Sequence, residues 1–109
     1  MNIELFTDTL QADGHDVVVE RDGRSGLERA LGERFDLVIL DVQLPGMDGF
    51  AVVRELRAAN VRGPIVAVSS SAMADQIQEG LAAGFDEYLT KPISPADLRR
   101  AVRRLGAAP

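Results

Sequence analysis

Cysteine and tryptophan are absent from this chain, and lysine, histidine and tyrosine occur once each. Without cysteine there is no disulfide framework, no thiolate nucleophile and no zinc–cysteine site. No apolar run approaches the roughly 20 residues that a membrane span needs. The start, Met1-Asn-Ile-Glu-Leu5, has neither the basic region nor the apolar stretch of a signal peptide. Excess positive charge is lacking too. Twelve basic against seventeen acidic residues leave −5, which argues against direct nucleic-acid binding, because that needs a basic footprint. A cytoplasmic setting without membrane or nucleic-acid contact is expected. No glycine-rich phosphate loop follows any strand, which disfavours a small flavodoxin-like enzyme or nucleotide binder.

What is present fits one folded domain spanning residues 1–109, with 46% hydrophobic content for a packed core. Apolar periodicity predicts a helix over 3–12 with Ile3, Phe6 and Leu10 on one face, stopped by Gly14. Val17-Val-Val19 is short and β-branched, which predicts a strand. After the turn signal Asp22-Gly23 comes a helix carrying Leu27, Ala30 and Leu31. A strand over 37–40 follows, then a helix with Phe50, Val53 and Leu56, and a strand over 64–68. Ser69-Ser-Ser71 leads into a helix with Met73, Ile77 and Leu81, stopped by Gly84. Glu87-Tyr-Leu89 is a brief last strand. The final helix is predicted from Ser94 as cap, Pro95 at the first position and Asp97 as a variant capping box. Its inner face is Leu98, Ala101, Val102 and Leu105, and Gly106 closes it. A helix and then four strand–helix pairs predict α/β architecture with a parallel sheet and right-handed crossovers.

Leu37-Val-Ile-Leu-Asp41 is the most informative run. Four apolar residues end in a carboxylate, followed by a loop with Pro45, Gly46 and Gly49. So short an apolar run reads as a strand buried on both faces, and its carboxyl end is where open α/β sheets place their chemistry. Asp41 is then either a reactive group or an acid that ends a strand and starts a turn. Two further predicted strand ends meet the same edge, with Ser69 and Lys91. A carboxylate, a hydroxyl and an ammonium are what is needed to hold a phosphoryl group on a side chain. Aspartate is the nucleophile, and the other two contact phosphoryl oxygens. Lys91 is the only lysine among the twelve basic residues, as if a compact point charge on a flexible stem were wanted there. Its alternative is a plain surface lysine. Arg99, Arg100, Arg103 and Arg104 read either as a solvated face at a helix C-terminus or as a docking surface for an acidic partner. His15 reads as a surface loop residue, Asp48-Gly49 as turn and helix-start chemistry, and Ser70 and Ser71 as starting the next helix.

Over nearly its whole length the chain resembles the receiver domain of bacterial two-component response regulators. The pieces that carry the resemblance are Asn2 through Gly14-His15-Asp-Val17, Asp22-Gly23, Asp36-Leu-Val-Ile-Leu-Asp41 and Leu44-Pro-Gly-Met-Asp-Gly49-Phe50. Pro64-Ile-Val-Ala-Val-Ser69, Ala83-Gly84-Phe85-Asp86-Glu-Tyr88-Leu and Lys91-Pro92 complete them. Each is weak alone; all of them in order are specific. The resemblance implies a doubly wound, flavodoxin-like fold and a signalling domain, not an enzyme beyond slow self-dephosphorylation. It implies that Asp41 accepts a phosphoryl group from a phosphohistidine on a sensor histidine kinase or histidine phosphotransfer protein. Mg²⁺ would be bound by acidic residues, by Asp41 and by the Gln43 backbone carbonyl. Ser69 would be the hydroxyl switch, and Tyr88 the aromatic that turns inward on activation. As the chain's only tyrosine, Tyr88 could equally just cover the sheet edge. The Lys91–Pro92 peptide is expected to be cis. Output would pass to a downstream protein target, and a homodimer is possible.

One departure stands out. The family pattern opens with a central hydrophobic strand ending in an acidic pair, and here Met1-Asn2 falls where the following loop would end. Mg²⁺ binding is therefore expected to be weak, since Asp8 and Asp13 are poorly placed to replace the pair. A misassigned start or a fragment is expected in preference to a degenerate receiver, because Asp41, Ser69 and Lys91 all remain. The competing expectation is a pseudo-receiver, a protein-interaction module that works without phosphorylation.

Overall fold

The computed structural model describes residues 3–43, 48–70 and 73–105. Five helices are found among them: α1 (Ile3–Ala12), α2 (Gly23–Gly32), α3 (Gly49–Ala58), α4 (Ala74–Ala83) and α5 (Pro95–Arg104). The strands are β1 (Val38–Asp41), β2 (Ile65–Ser69) and β3 (Glu87–Thr90), all parallel and in the order β1-β2-β3. Side chains alternate across a strand with period two, and here the alternation sorts two apolar layers. Val38 and Leu40 of β1, with Ile65 and Ala67 of β2, join Leu27 of α2 and Val52, Val53 and Leu56 of α3. Leu37, Ile39 and Val68 face the other way, toward Phe6 and Leu10 of α1 and Leu98 and Val102 of α5. Helices therefore cover both faces, as a doubly wound sheet requires.

The helix ends follow local chemistry. Asp22 caps α2 by accepting from the Ser25 amide at 2.8 Å and its hydroxyl at 3.1 Å. Those bonds hold its carboxyl below the ordinary carboxylate range. Asp48 caps α3 through the Ala51 amide at 3.0 Å. At α5, Ser94 and Asp97 form a reciprocal capping box with proline at the helix start. Gly84 ends α4 with φ +132°, a backbone shape glycine adopts without steric cost.

One sequence expectation is corrected. Val17–Val19 is not a strand: residues 15–20 carry no regular structure, and Val18 and Val19 are exposed. The described sheet thus has three strands, not four. Among the described residues, no strand pairs with the outer edge of β1. Across that edge lies a cleft of about 550 Å³ lined by Leu10, Val17, Val18, Leu37, Ile39 and Val102. A smaller void of about 120 Å³ lies between Val18 and the Val38–Leu40 side. Of the apolar residues read into the fourth helix, Met73 stands at the N-cap of α4 and Leu81 within it. Both are exposed, and the buried residue of that helix is Gly80. Leu31 is exposed at the end of α2. Gly106, placed as the stop of α5, lies outside the described residues, as does the loop Leu44–Met47.

Candidate functional site

Asp41 is the last residue of β1, in register with Val68, one position before the end of β2. The pairing runs one residue further, where the Val42 amide donates to the Val68 carbonyl at 3.0 Å. Asp41 is buried, its side chain 9% exposed, yet both carboxylate oxygens are engaged. Oδ1 accepts from the Gln43 amide at 2.9 Å, and Oδ2 accepts from Lys91 Nζ at 2.9 Å. A buried carboxylate without such partners would be expensive to keep ionised.

Lys91 follows β3 and is fixed at both ends. Its amide donates to the Ser69 carbonyl at 2.7 Å, and its peptide bond to Pro92 is cis. Burial works against the ammonium's charge, but hydrogen bonding, that to Asp41 included, and Asp41's negative charge outweigh it. The group is held above its ordinary value. Ser69 ends β2, almost wholly buried at 1% exposure. The three strand ends thus come together as Asp41, Ser69 and Lys91, with a side-chain ion pair joining Lys91 to Asp41 and a backbone bond joining it to Ser69.

Tyr88 lies elsewhere. It sits within β3 in register with Ala67. Its ring packs so closely on α4 that a methyl group added at Gly80 would stand 3.0 Å from Cδ2. The Tyr88 hydroxyl is buried, with no hydrogen-bond partner among the described residues. The ring therefore points inward, held by packing and not by a polar anchor.

One turn residue read in the sequence gains its steric reason here, and one side-chain contact escaped the reading. Gly49 carries the turn behind Asp41: a Cβ there would meet Val42 Cα at 2.6 Å, and the Gly49 amide donates to the Val42 carbonyl at 3.2 Å. Gln43 reaches across from the β1 end to the β2 end. Its Nε2 donates to Ser70 Oγ at 2.8 Å, and its Oε1 accepts from that hydroxyl at 3.1 Å. Periodicity marks neither. A glycine after a helix cap looks like a helix start, and exposed polar pairs leave no pattern.

The arginines of α5 are largely spoken for within the chain. Arg99 pairs with Asp13 at 2.8 Å, Arg100 with Asp97 at 3.4 Å, and Arg104 with Glu87. That favours a solvated, salt-bridged face over a docking surface.

The donor set for a divalent cation is thin. Among the described residues no group of three His, Cys, Asp or Glu side chains could hold one. Asp41 already spends one oxygen on an ammonium. Among the described residues, one carboxylate and the Gln43 carbonyl are the candidate oxygen donors at this edge, where Mg²⁺ or Ca²⁺ prefers an oxygen-rich set. No described helix is long and apolar enough to cross a membrane.

Comparison with known proteins gives the family and the fold. The family model of the response regulator receiver domain matches residues 1–103. The transcriptional regulatory protein RprY of Bacteroides fragilis is 37% identical over 94 residues, covering 86% of this chain and 40% of RprY. The sensor protein GacS of Pseudomonas syringae is 39% identical over 106 residues, 93% of this chain but 12% of GacS. The chain thus spans well under half the length of these relatives. Among solved structures, the receiver domain of the Pseudomonas aeruginosa sensor histidine kinase PA1611, with magnesium in its active-site cleft, superposes with a TM-score of 0.87. It is 32% identical, over 97% of this chain and 89% of that one. By family model, sequence and fold, the chain belongs to the receiver domains of two-component response regulators.

Proposed function

We propose that this receiver is a phosphoacceptor whose Asp41 takes a phosphoryl group from a phosphohistidine on a sensor histidine kinase or histidine phosphotransfer protein. The observation that carries this is the Asp41–Lys91 contact of 2.9 Å at a buried strand end, with Ser69 beside it. A carboxylate oxygen of Asp41 attacks phosphorus and forms the P–O bond as the donor's P–N bond breaks. The electron pair leaves with the imidazole nitrogen, which takes up a proton. Once an Asp41 oxygen carries the phosphoryl group, the ammonium follows the charge onto a phosphoryl oxygen, as a point charge on a flexible stem can. The Ser69 hydroxyl donates to another. Tyr88 reports the change toward α4 and a downstream protein. Mg²⁺ would be held only weakly, by Asp41 and the Gln43 carbonyl.

A second reading, a pseudo-receiver that binds partners without phosphorylation, is favoured by the thin metal donor set. Incubation with phosphoramidate and Mg²⁺, followed by intact mass, separates the two. The phosphoacceptor reading expects one added phosphoryl group, lost in Asp41→Asn with the fold retained by circular dichroism. An unchanged mass for the parent chain favours the pseudo-receiver. Labelling that persists in Asp41→Asn places the acceptor elsewhere.

A further inference from the structure

The outer edge of β1 is open in its backbone, in its packing and in its charge. The Val38 and Val42 amides donate toward β2, to the Pro64 and Val68 carbonyls at 3.0 Å each. Backbone groups alternate in direction along a strand, so those of Leu37, Ile39 and Asp41 face the unpaired edge. Space opens from that edge into both apolar layers. The cleft of about 550 Å³ reaches Leu10 and Val102, on the α1 and α5 side. The void of about 120 Å³ reaches Val52 and Leu56, on the α3 side. Val18 and Ile39 line both spaces. The charged rim of the cleft is mainly acidic, with Asp16, Glu33 and Asp36 against Arg34 and His15.

We propose that this edge binds an extended segment of another polypeptide, apolar at its centre and basic at its flank, which adds to β1 as a further strand. A strand meets both spaces at once, because its side chains alternate between the two faces of the sheet. One set enters the cleft, which calls for isoleucine or leucine. The other enters the smaller void, which calls for valine or alanine. A helix cannot pair its backbone with the exposed groups of Leu37 and Ile39, whereas an added strand does. Main-chain bonds then supply affinity and the two side-chain spaces supply specificity. Lysine or arginine at the flank of the segment meets the acidic rim.

The test mixes the whole chain with a dye-labelled peptide of lysines followed by alternating isoleucine and valine. Fluorescence anisotropy should show saturable binding, and hydrogen exchange at the Ile39 amide should slow when the peptide is bound. A peptide with proline at its centre loses a ladder donor and should bind about tenfold weaker. Val18→Glu, which puts a charge where the two spaces meet, should weaken binding to a similar degree. Val18 is exposed, so that variant should melt at the parent's temperature. Asp36→Lys should turn the preference toward a peptide flanked by glutamates. Absence of saturable binding overturns the proposal. Binding that leaves Ile39 exchange unchanged, or that is equally tight for the proline peptide or for either variant, overturns it by showing apolar contact without an added strand. A chain that is already a dimer with Ile39 protected before peptide is added overturns it too, by making a second copy the occupant.

Discussion

At the scale of single residues, the acceptor's surroundings tolerate little added volume. A methyl group at Gly49 would sit 2.6 Å from Val42 Cα, a backbone atom that cannot swing aside as a side-chain tip can. Gly49→Ala should therefore destabilise the fold by about 1–3 kcal/mol, the usual cost of overpacking. It should also slow Asp41 labelling, because Val42 adjoins the acceptor. Urea unfolding beside phosphoramidate labelling checks both; a variant as stable as the parent would mean the α3 start can retreat freely. The Asp41–Lys91 pair makes a pH prediction with a definite sign. Lys91 is held above its ordinary value in the fold. Its contribution is thus fully present at neutral pH and is lost only as pH climbs past the ordinary lysine range. Lys91→Met should flatten the alkaline decline in stability relative to the parent, measured by urea midpoints across that range.

At the scale of elements, Arg57 ties three of them together. Its guanidinium donates to the carbonyls of Gly84 at 2.9 Å, Val61 at 2.6 Å and Gly63 at 3.0 Å, and to Asp86 at 2.8 Å. The same Asp86 oxygen accepts from the Ile65 amide at 2.8 Å, at the start of β2. A lysine cannot reproduce this fork. Arg57→Lys should cost about 1–3 kcal/mol through carbonyls left without a donor, and a chemical-denaturation midpoint unchanged from the parent would refute it.

Elements were legible in the sequence wherever an internal pattern sufficed. The helices have apolar spacing and marked ends, and α5 showed its capping box outright. Strands β1 to β3 were legible as short apolar runs between turn signals. Val17–Val19 has the composition of a strand but no neighbour to pair with among the described residues, and a strand exists only through pairing. On α4 the inward position belongs to Gly80, which makes room for the Tyr88 ring. A glycine counts for nothing in apolar periodicity, so the reading of that helix rested on Met73, Ile77 and Leu81. Asp41, Ser69 and Lys91 were legible because parallel topology alone brings strand ends to one edge. The Gln43–Ser70 bridge was not, since two exposed polar residues 27 positions apart carry no signal of contact.

At the scale of the whole molecule, the chain is compact, with a radius of gyration of 12.8 Å, close to the ~13 Å expected for its length. Its weak side is the cleft along β1, where Leu37 and Ile39 meet open space instead of a strand. Extending the chain upstream of Met1 with an apolar strand that ends in two acidic residues should fill the cleft and pair β1. Each kcal/mol gained should raise the melting temperature by roughly 4–8 °C in a domain of this size. The same extension should strengthen Mg²⁺ binding, read by calorimetry, by adding carboxylates beside Asp41. Equal melting temperature and equal Mg²⁺ affinity in the short and extended chains would show that the cleft is no defect.

The position of β2 carries a consequence in time. It is flanked by β1 and β3 and buried at all five residues, so its amides are reached only when the whole sheet comes apart. Residues 15–20, outside any ladder, exchange without waiting for that event. In deuterated water the molecule should therefore behave as two clocks. The fast one is set by local opening along the cleft. The slow one, read at Val66 and Val68, ticks at the rate of global unfolding. Because Ser69 closes β2, the hydroxyl of the candidate site is anchored to the slow clock.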